Sequence, residues 1–343
     1  LLAPFAPLEV LPAVASSEQG FRHKAKMVAL GTVESPVLGI INSQQETVDL
    51  TDCPLYPAAF QRVFSLCKAF ISRAGLTLYH IESRRGELKF ILLSQSLHSG
   101  RFMLRFVLRS KNCLASIQKH LPWLLQQLPE LEVCSVNLQP KPAAILEGEE
   151  EIVLTEHSVL AEQLNAVPLY LQPQSFFQTQ PVMAASLYQT AADWAAQLQQ
   201  EHGRFATIWD LFCGVGGFGL HVANPAQQLT GIEIAPAAIA SAQRAAAEMG
   251  FKDVRFQALD SSAFAQAAAV SPGLAEYDAE VIKLASPLHD LGKIAIPDHI
   301  LNKPGKHDAD EWAIMLQHAE LGYQILQHST NEILQMGAII AQQ

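Results

Sequence analysis

The stretch that most constrains the fold of this chain is residues 208–220, Ile-Trp-Asp-Leu-Phe-Cys-Gly-Val-Gly-Gly-Phe-Gly-Leu. A short apolar run, a glycine-rich turn and a helix-like continuation, in that order, read as strand, loop and helix. Glycines in such a loop let the backbone approach a nucleotide closely, and the helix amino terminus offers unpaired N–H groups. The same texture continues with a strand around Ile232, an Ala-rich helix at 236–249 and a strand at 254–259. Alternating strand and helix opens a doubly wound parallel sheet. Only three of its strands are legible before residues 263–269 fade into small side chains, so the sheet is expected to be incomplete. Glu233 ends the second strand, where a carboxylate can accept hydrogen bonds from both hydroxyls of a ribose, and Asp260 ends the third, placed to meet an adenine edge. Gly214, Gly216 and Gly219 satisfy the spacing GxGxxG, which does not separate NAD from S-adenosylmethionine. Cys213 reads as a small residue of the turn rather than a nucleophile.

Upstream the pattern is different. Short runs rich in Val, Ile, Leu and Phe predict strands at 26–30, 38–41, 88–93, 102–108, 132–138 and 152–154, and three- and four-residue apolar spacing predicts helices at 58–74 and 113–127. Helical spacing returns at 181–199. The expected domains are 1–170, an α+β region; 171–268, the nucleotide-binding region; and 269–343, a helical, histidine-rich segment that follows the turn signal Ser271-Pro272-Gly273.

At 343 residues and 49% hydrophobic content, the chain can bury two or three cores. The net charge of −10 argues against a polyanionic partner. That average hides an asymmetry: residues 1–141 hold 15 Lys and Arg against 10 Asp and Glu, and the remainder holds 8 against 23. Five scattered cysteines do not resemble a disulfide framework, and no run is long and apolar enough to span a membrane. A reducing, cytoplasmic location and a monomer are expected. The chain starts at Leu1 rather than at a methionine, so residues ahead of it are expected too.

Several ordered motifs carry a resemblance. Gly20-Phe21-Arg22-His23-Lys24-Ala25-Lys26-Met27, Asp52-Cys53-Pro54-Leu55-Tyr56-Pro57, Pro173-Gln174-Ser175-Phe176-Phe177-Gln178-Thr179-Gln180-Pro181, the glycine loop itself and Leu229-Thr230-Gly231-Ile232-Glu233-Ile234-Ala235 follow one another. Over residues 1–266 the chain resembles the bacterial 23S rRNA uracil-C5 methyltransferases. The resemblance implies a class I methyltransferase fold: an α/β, Rossmann-like parallel sheet, here incomplete, preceded by an α+β domain. It implies S-adenosylmethionine as methyl donor, held by Gln178, Phe212, Gly214, Gly216, Glu233 and Asp260, and 23S rRNA as the partner.

The same resemblance exposes what is missing. In this family a cysteine thiolate attacks C6 of uracil, the resulting enolate takes the methyl group, and a base removes the C5 proton. The Asn-Pro-Pro loop, the catalytic cysteine and the general-base glutamate should follow the third strand, but the likeness ends near Gln266, so no catalytic residue is assigned. The family also binds a [4Fe-4S] cluster through four cysteines, of which Cys53 alone corresponds; such a cluster normally needs four thiolates, and Cys53 is expected to be a reduced thiol. Arg22, Lys24, Lys26, Arg84, Arg85, Lys89, Arg101, Arg105 and Arg109 are expected to share a strand face that meets RNA phosphates, with Phe21 or Phe102 for base stacking. A solvated sheet edge protected by charge is the plain alternative.

Residues 274–343 resemble a second family. Leu288-His289-Asp290-Leu291-Gly292-Lys293, Ile296-Pro297-Asp298-His299-Ile300-Leu301 and Lys303-Pro304-Gly305-Lys306 are similar to HD-GYP phosphodiesterases, which hydrolyse cyclic di-GMP. The resemblance implies His289, Asp290 and His318 as ligands of a divalent metal and Lys293 as a phosphate contact. His299, His307 and His328 are expected to be exposed or capping. Residues that this family places before and after the segment are not matched. Three functions follow: methylation of rRNA, inactive in this chain; a cyclic di-GMP phosphodiesterase; or a silent RNA- or nucleotide-binding protein.

Overall fold

The computed structural model describes residues 13–42, 44, 46–141, 146–203, 207–259, 286–301, 308–329 and 332–342. The chain divides into two compact units, Leu1–Gln197 and Leu198–Gln343. Residues 260–285 lie outside the described set, and with them Asp260, the fading stretch at 263–269 and the turn at 271–273.

The first unit is built on a seven-stranded sheet in the order β3-β2-β1-β4-β5-β6-β7. Its strands are β1 (Lys24–Gly31), β2 (Pro36–Ile41), β3 (Thr47–Asp49), β4 (Leu88–Gln95), β5 (Phe102–Leu108), β6 (Leu131–Leu138) and β7 (Glu150–Val153). Neighbours pair antiparallel except β5 and β6, which run parallel because helix α2 (Leu114–Gln127) carries the chain from the end of one to the start of the other. Helix α1 (Ala58–Ala74) enters after Pro57 and ends where Gly75, at φ 62°, returns its N–H to the carbonyls of Ile71 and Ser72.

Both helices cover one sheet face. Alternation along β1 buries Ala25, Met27 and Ala29 against them, together with Ile91, Leu93, Leu104, Phe106 and Val136. From α1, Phe60, Phe64 and Phe70 fill the same core, and Phe60 meets Phe102 edge-on at 5.9 Å between ring centroids. Phe102 is therefore buried under α1 and cannot stack on a base, which corrects the reading that offered it to RNA.

The opposite face is polar and partly covered. Lys26, Leu92, Arg105 and Ser135 are successive cross-strand neighbours and share it, as the strand period requires. Arg105, however, is only 3% exposed: its guanidinium donates to Glu151 at 2.6 and 3.0 Å and to Glu147 at 3.2 Å, while Ser135 and Asn137 donate to the same Glu151 carboxylate. Lys89 is also buried, bonded to Gln139 and to the carbonyl of Lys141. Arg109 pairs with the buried Glu87 at 2.8 Å. Lys89 and Arg105 belong to the internal polar layer of the sheet and are withdrawn from the expected phosphate-binding face, while Arg109 is half-buried and held by Glu87.

A hairpin of β8 (Leu160–Leu164) and β9 (Val167–Leu171) follows, its turn formed with Asn165 at φ 52°. Glu162 on β8 accepts hydrogen bonds from the backbone N–H groups of Leu97 and His98, which ties the hairpin to the loop after β4. Helix α3 (Pro181–His202) comes next.

The second unit contains a three-stranded parallel sheet in the order β10-β11-β12, made of Thr207–Leu211, Gln228–Glu233 and Val254–Ala258. Helix α4 (Gly217–Val222) bridges the first pair and helix α5 (Pro236–Glu248), with proline in its first turn, bridges the second. The carboxyl-terminal segment is helical: a 3₁₀ stretch Ser286–Ala295, then α6 (Asp298–Leu301), α7 (Ala309–Met315), α8 (His318–Leu326) and α9 (Glu332–Gln342). Asp308 and Glu311 cap α7 reciprocally, each side chain accepting from the other residue's backbone N–H.

Candidate nucleotide-binding site

The glycine loop takes its shape from positive φ angles at Phe212 (59°), Gly214 (53°) and Gly216 (81°). Gly216 has no room for a side chain, since a Cβ there would lie 2.9 Å from the Cβ of Ala242 on α5. Gly219 is required for a second reason: a Cβ would sit 2.7 Å from the Asp210 carboxylate, whose Oδ2 accepts the Gly219 N–H at 2.7 Å. Loop, strand end and helix start are thus locked by one buried acid. Gly214 differs, with nothing within 4 Å of where its Cβ would be. At that residue the backbone lies open.

Glu233, at the end of β11, faces the loop from the neighbouring strand. Its Oε2 accepts the Gly214 N–H at 3.2 Å and its Oε1 accepts the Ala235 N–H at 3.0 Å. The carboxylate is held by two backbone donors and retains lone pairs for more. Around it Phe212 (73% exposed) and Ile234 (69%) present apolar surface to solvent. Phe212 is a bulky residue in the left-handed region, a conformation that costs about 1–2 kcal/mol and fits a site more readily than a plain turn. The structure therefore brings Phe212, Gly214 and Glu233 together at one open face of the loop, while Gly216 is buried behind it against α5.

Electrostatics separate the roles of two neighbours. Burial pushes the Asp210 carboxyl up to about 6, against the opposing hydrogen bond from Gly219. Burial pushes the Cys213 thiol up to about 12, helped by the negative charges of Asp210 and Glu233. A thiol so held is not a thiolate near neutrality.

Gln178, Arg22, Lys24 and Lys26 belong to the first unit. Gln178 is exposed and, with His23, Lys24, Ser94, Gln95 and Phe177, lines a small pocket of the first unit, where the Lys24 Nζ donates to the carbonyl of Ser175. Burial and the adjacent Lys26 hold Lys24 below the usual lysine range, with Glu147 opposing. Lys26 is exposed on β1. Arg22 is half-buried, and its Nε is buried with no hydrogen-bond partner.

The residues expected to hold metals divide similarly. Cys53 is half-buried, and all five cysteines are free thiols. One cysteine cannot hold a four-thiolate cluster, and among the described residues no group of three His, Cys, Asp or Glu could hold a metal ion. A [4Fe-4S] cluster does not fit the thiols present. His289 and Asp290 lie on the 3₁₀ stretch with side chains outside the described set. Gly292, two residues on, packs so tightly on α8 that a Cβ would be 1.7 Å from the carbonyl of His318. His318 Nδ1 donates to the Met315 carbonyl at 2.7 Å.

The family model described as tRNA (Uracil-5-)-methyltransferase matches residues 148–278, and an HD domain model matches 258–342. The 23S rRNA (uracil(747)-C(5))-methyltransferase RlmC of Pectobacterium carotovorum is 53% identical over 301 residues, covering 88% of this chain and 79% of that protein. The Shigella dysenteriae protein of the same name is 54% identical over 293 residues, covering 85% and 75%. Among solved structures, the Pyrococcus abyssi tRNA (uracil-54, C5)-methyltransferase in complex with S-adenosyl-L-homocysteine superposes with a TM-score of 0.58 at 20% identity. The match covers 72% of this chain and 57% of that one, and it supports a class I methyltransferase fold. The chain belongs to the family of 23S rRNA (uracil(747)-C(5))-methyltransferases.

Proposed function

We propose that the chain binds S-adenosylmethionine in the cradle of Gly214, Gly216 and Glu233 and recognises 23S rRNA through its first unit. The observation that carries the reading is the open backbone at Gly214 facing a Glu233 carboxylate already oriented by two N–H donors. A ribose needs such a bidentate acceptor, and the exposed Phe212 and Ile234 supply apolar walls for an adenine. The family resemblance also assigns Gln178, in the first unit, and Asp260 to the methyl donor. When bound, the methyl donor supplies an electrophilic carbon; this chain's residues bind and orient it. Arg22, Lys24 and Lys26 would meet RNA phosphates by family resemblance, and the exposure of Lys26 on β1 supports this.

We further propose that this chain does not itself transfer a methyl group. Attack on C6 of uracil needs a thiolate, and burial pushes Cys67 and Cys213 each up to about 12, Cys134 higher still, and Cys113 upward. Cys53 stands with Tyr56 in the first unit, away in sequence from the position the family's nucleophile occupies. Incubation with methyl-labelled S-adenosylmethionine and unmodified 23S rRNA should leave the RNA unlabelled. Steady incorporation at uracil C5 would refute this.

A second reading concerns the carboxyl-terminal helices. The close packing of Gly292 on His318 sets the segment bearing His289 and Asp290 against the helix that His318 opens. By family resemblance His289, Asp290 and His318 would hold a divalent metal and Lys293 would meet a phosphate, as in enzymes that act on cyclic di-GMP. Manganese titration monitored by His318 NMR shifts would test it; shifts that leave His318 unmoved would remove it.

A further inference from the structure

One exposed turn of the first unit has features that chain reversal alone does not require. Residues 80–86, His-Ile-Glu-Ser-Arg-Arg-Gly, connect the end of α1's following strand-like segment to β4. Arg84 sits at φ 53°, a conformation that glycine or asparagine would adopt at lower cost. The strain persists because the turn is pinned from several sides. His80 N–H donates to the Arg85 carbonyl at 2.8 Å, and Arg109 Nη1 donates to the Arg84 carbonyl at 3.0 Å. Arg109 is itself fixed by Glu87, a buried carboxylate that also accepts from Ser110 and Asn112. Gly86, at φ 92°, passes so close to Leu78 that a Cβ would lie 1.8 Å from its carbonyl oxygen.

What this scaffold displays is two cations and an apolar tip. Arg84 and Arg85 are exposed and have no side-chain hydrogen bond or ion pair among the described residues, although Glu82 lies in the same turn. Ile81 is 66% exposed beside them. A single exposed isoleucine needs no explanation, and arginines on a surface are ordinary. A rigid, strained turn that holds both toward solvent matches a polyanion with apolar faces, for which guanidinium groups are the preferred phosphate readers.

We propose that the turn 80–86 is an additional RNA-contacting element, in which Arg84 and Arg85 bind backbone phosphates while Ile81 packs on a ribose or base. The proposal rests on the rRNA reading above; Arg84 and Arg85, expected on a strand face with the other cations, lie instead on this turn, which would be a separate contact. Folding of the first unit does not depend on these three side chains, since their exposed positions make no core contact. The partner is RNA rather than an acidic protein because the turn offers paired planar cations and little apolar area.

The test is binding of the full chain to transcribed 23S rRNA over a range of salt concentrations. The R84A/R85A variant should bind about tenfold or more weakly at 0.1 M salt, and its slope of log affinity against log salt should fall by about 1.5, as two lost phosphate contacts require. A control that removes two cations from the helical side, R62A/K119A, should keep the wild-type slope, and all three proteins should melt together. An equal slope change in the control, or wild-type binding by R84A/R85A, would overturn the turn as a contact while leaving rRNA binding intact. Absence of binding by the wild type would instead remove the rRNA reading together with this one.

Discussion

At the residue scale, Asp210 and the loop glycines carry most of the argument. Asp210 is buried with its carboxyl pushed up to about 6 from 3.8, so the folded state holds its proton more tightly than the unfolded state does. The sign follows: its contribution to stability is fully present below about pH 4 and is lost as pH rises through about 6, a difference of about 3 kcal/mol. Asp210→Asn keeps an oxygen to accept the Gly219 N–H and removes the titration. The stability of the variant relative to wild type, from urea unfolding, should therefore rise between pH 4 and pH 7. A difference independent of pH would contradict the burial argument. The glycines make a paired prediction. Gly216→Ala meets both a positive φ and the side chain of Ala242, and should cost about 2–4 kcal/mol. Gly214→Ala meets the positive φ alone and should cost about 1 kcal/mol, while obstructing the open backbone that the nucleotide would approach.

At the scale of elements, what the sequence reveals and what it hides have separate physical causes. Helices α1, α3 and α5 and the strand, loop and helix at 207–222 are legible because apolar period agrees with proline or glycine at their ends, and α2 is legible from its apolar period despite Pro122 inside it. Strand β3 and the β8–β9 hairpin escape notice, since three or five residues with polar alternation and a turn built on Asn165 give little periodic signal. The misplaced residues are more instructive. Strand alternation correctly puts Lys26 and Arg105 on one face, yet it says nothing about what lies over that face. Glu147 and Glu151, distant in sequence, cover Arg105 and turn an expected phosphate contact into a buried ion pair. Glu151→Ala should then leave a buried guanidinium with too few partners and cost about 3–5 kcal/mol in thermal unfolding, far more than loss of the exposed Arg62–Glu130 pair. Near-equal costs would show that Arg105 is better hydrated than its 3% exposure implies.

At the scale of the whole molecule, one chain carries two recognisable families, with the methyltransferase model reaching residue 278 and the HD model beginning at 258. Glu233 faces the glycine loop and accepts the Gly214 N–H, while burial holds the thiols of Cys67, Cys113, Cys134 and Cys213 above the ordinary range. No described helix is long and apolar enough to cross a membrane. The proposed function separates binding from chemistry: the chain is proposed to bind methyl donor and RNA without transferring a methyl group. Its central claim is tested most directly by calorimetric titration of the full chain with S-adenosylmethionine and, in parallel, with NAD, alongside Glu233→Gln. The account predicts saturable binding of S-adenosylmethionine at one site, weakened about tenfold or more by Glu233→Gln through loss of charge-assisted hydrogen bonds, and no binding of NAD. Binding of NAD alone, or S-adenosylmethionine binding indifferent to Glu233, would contradict it.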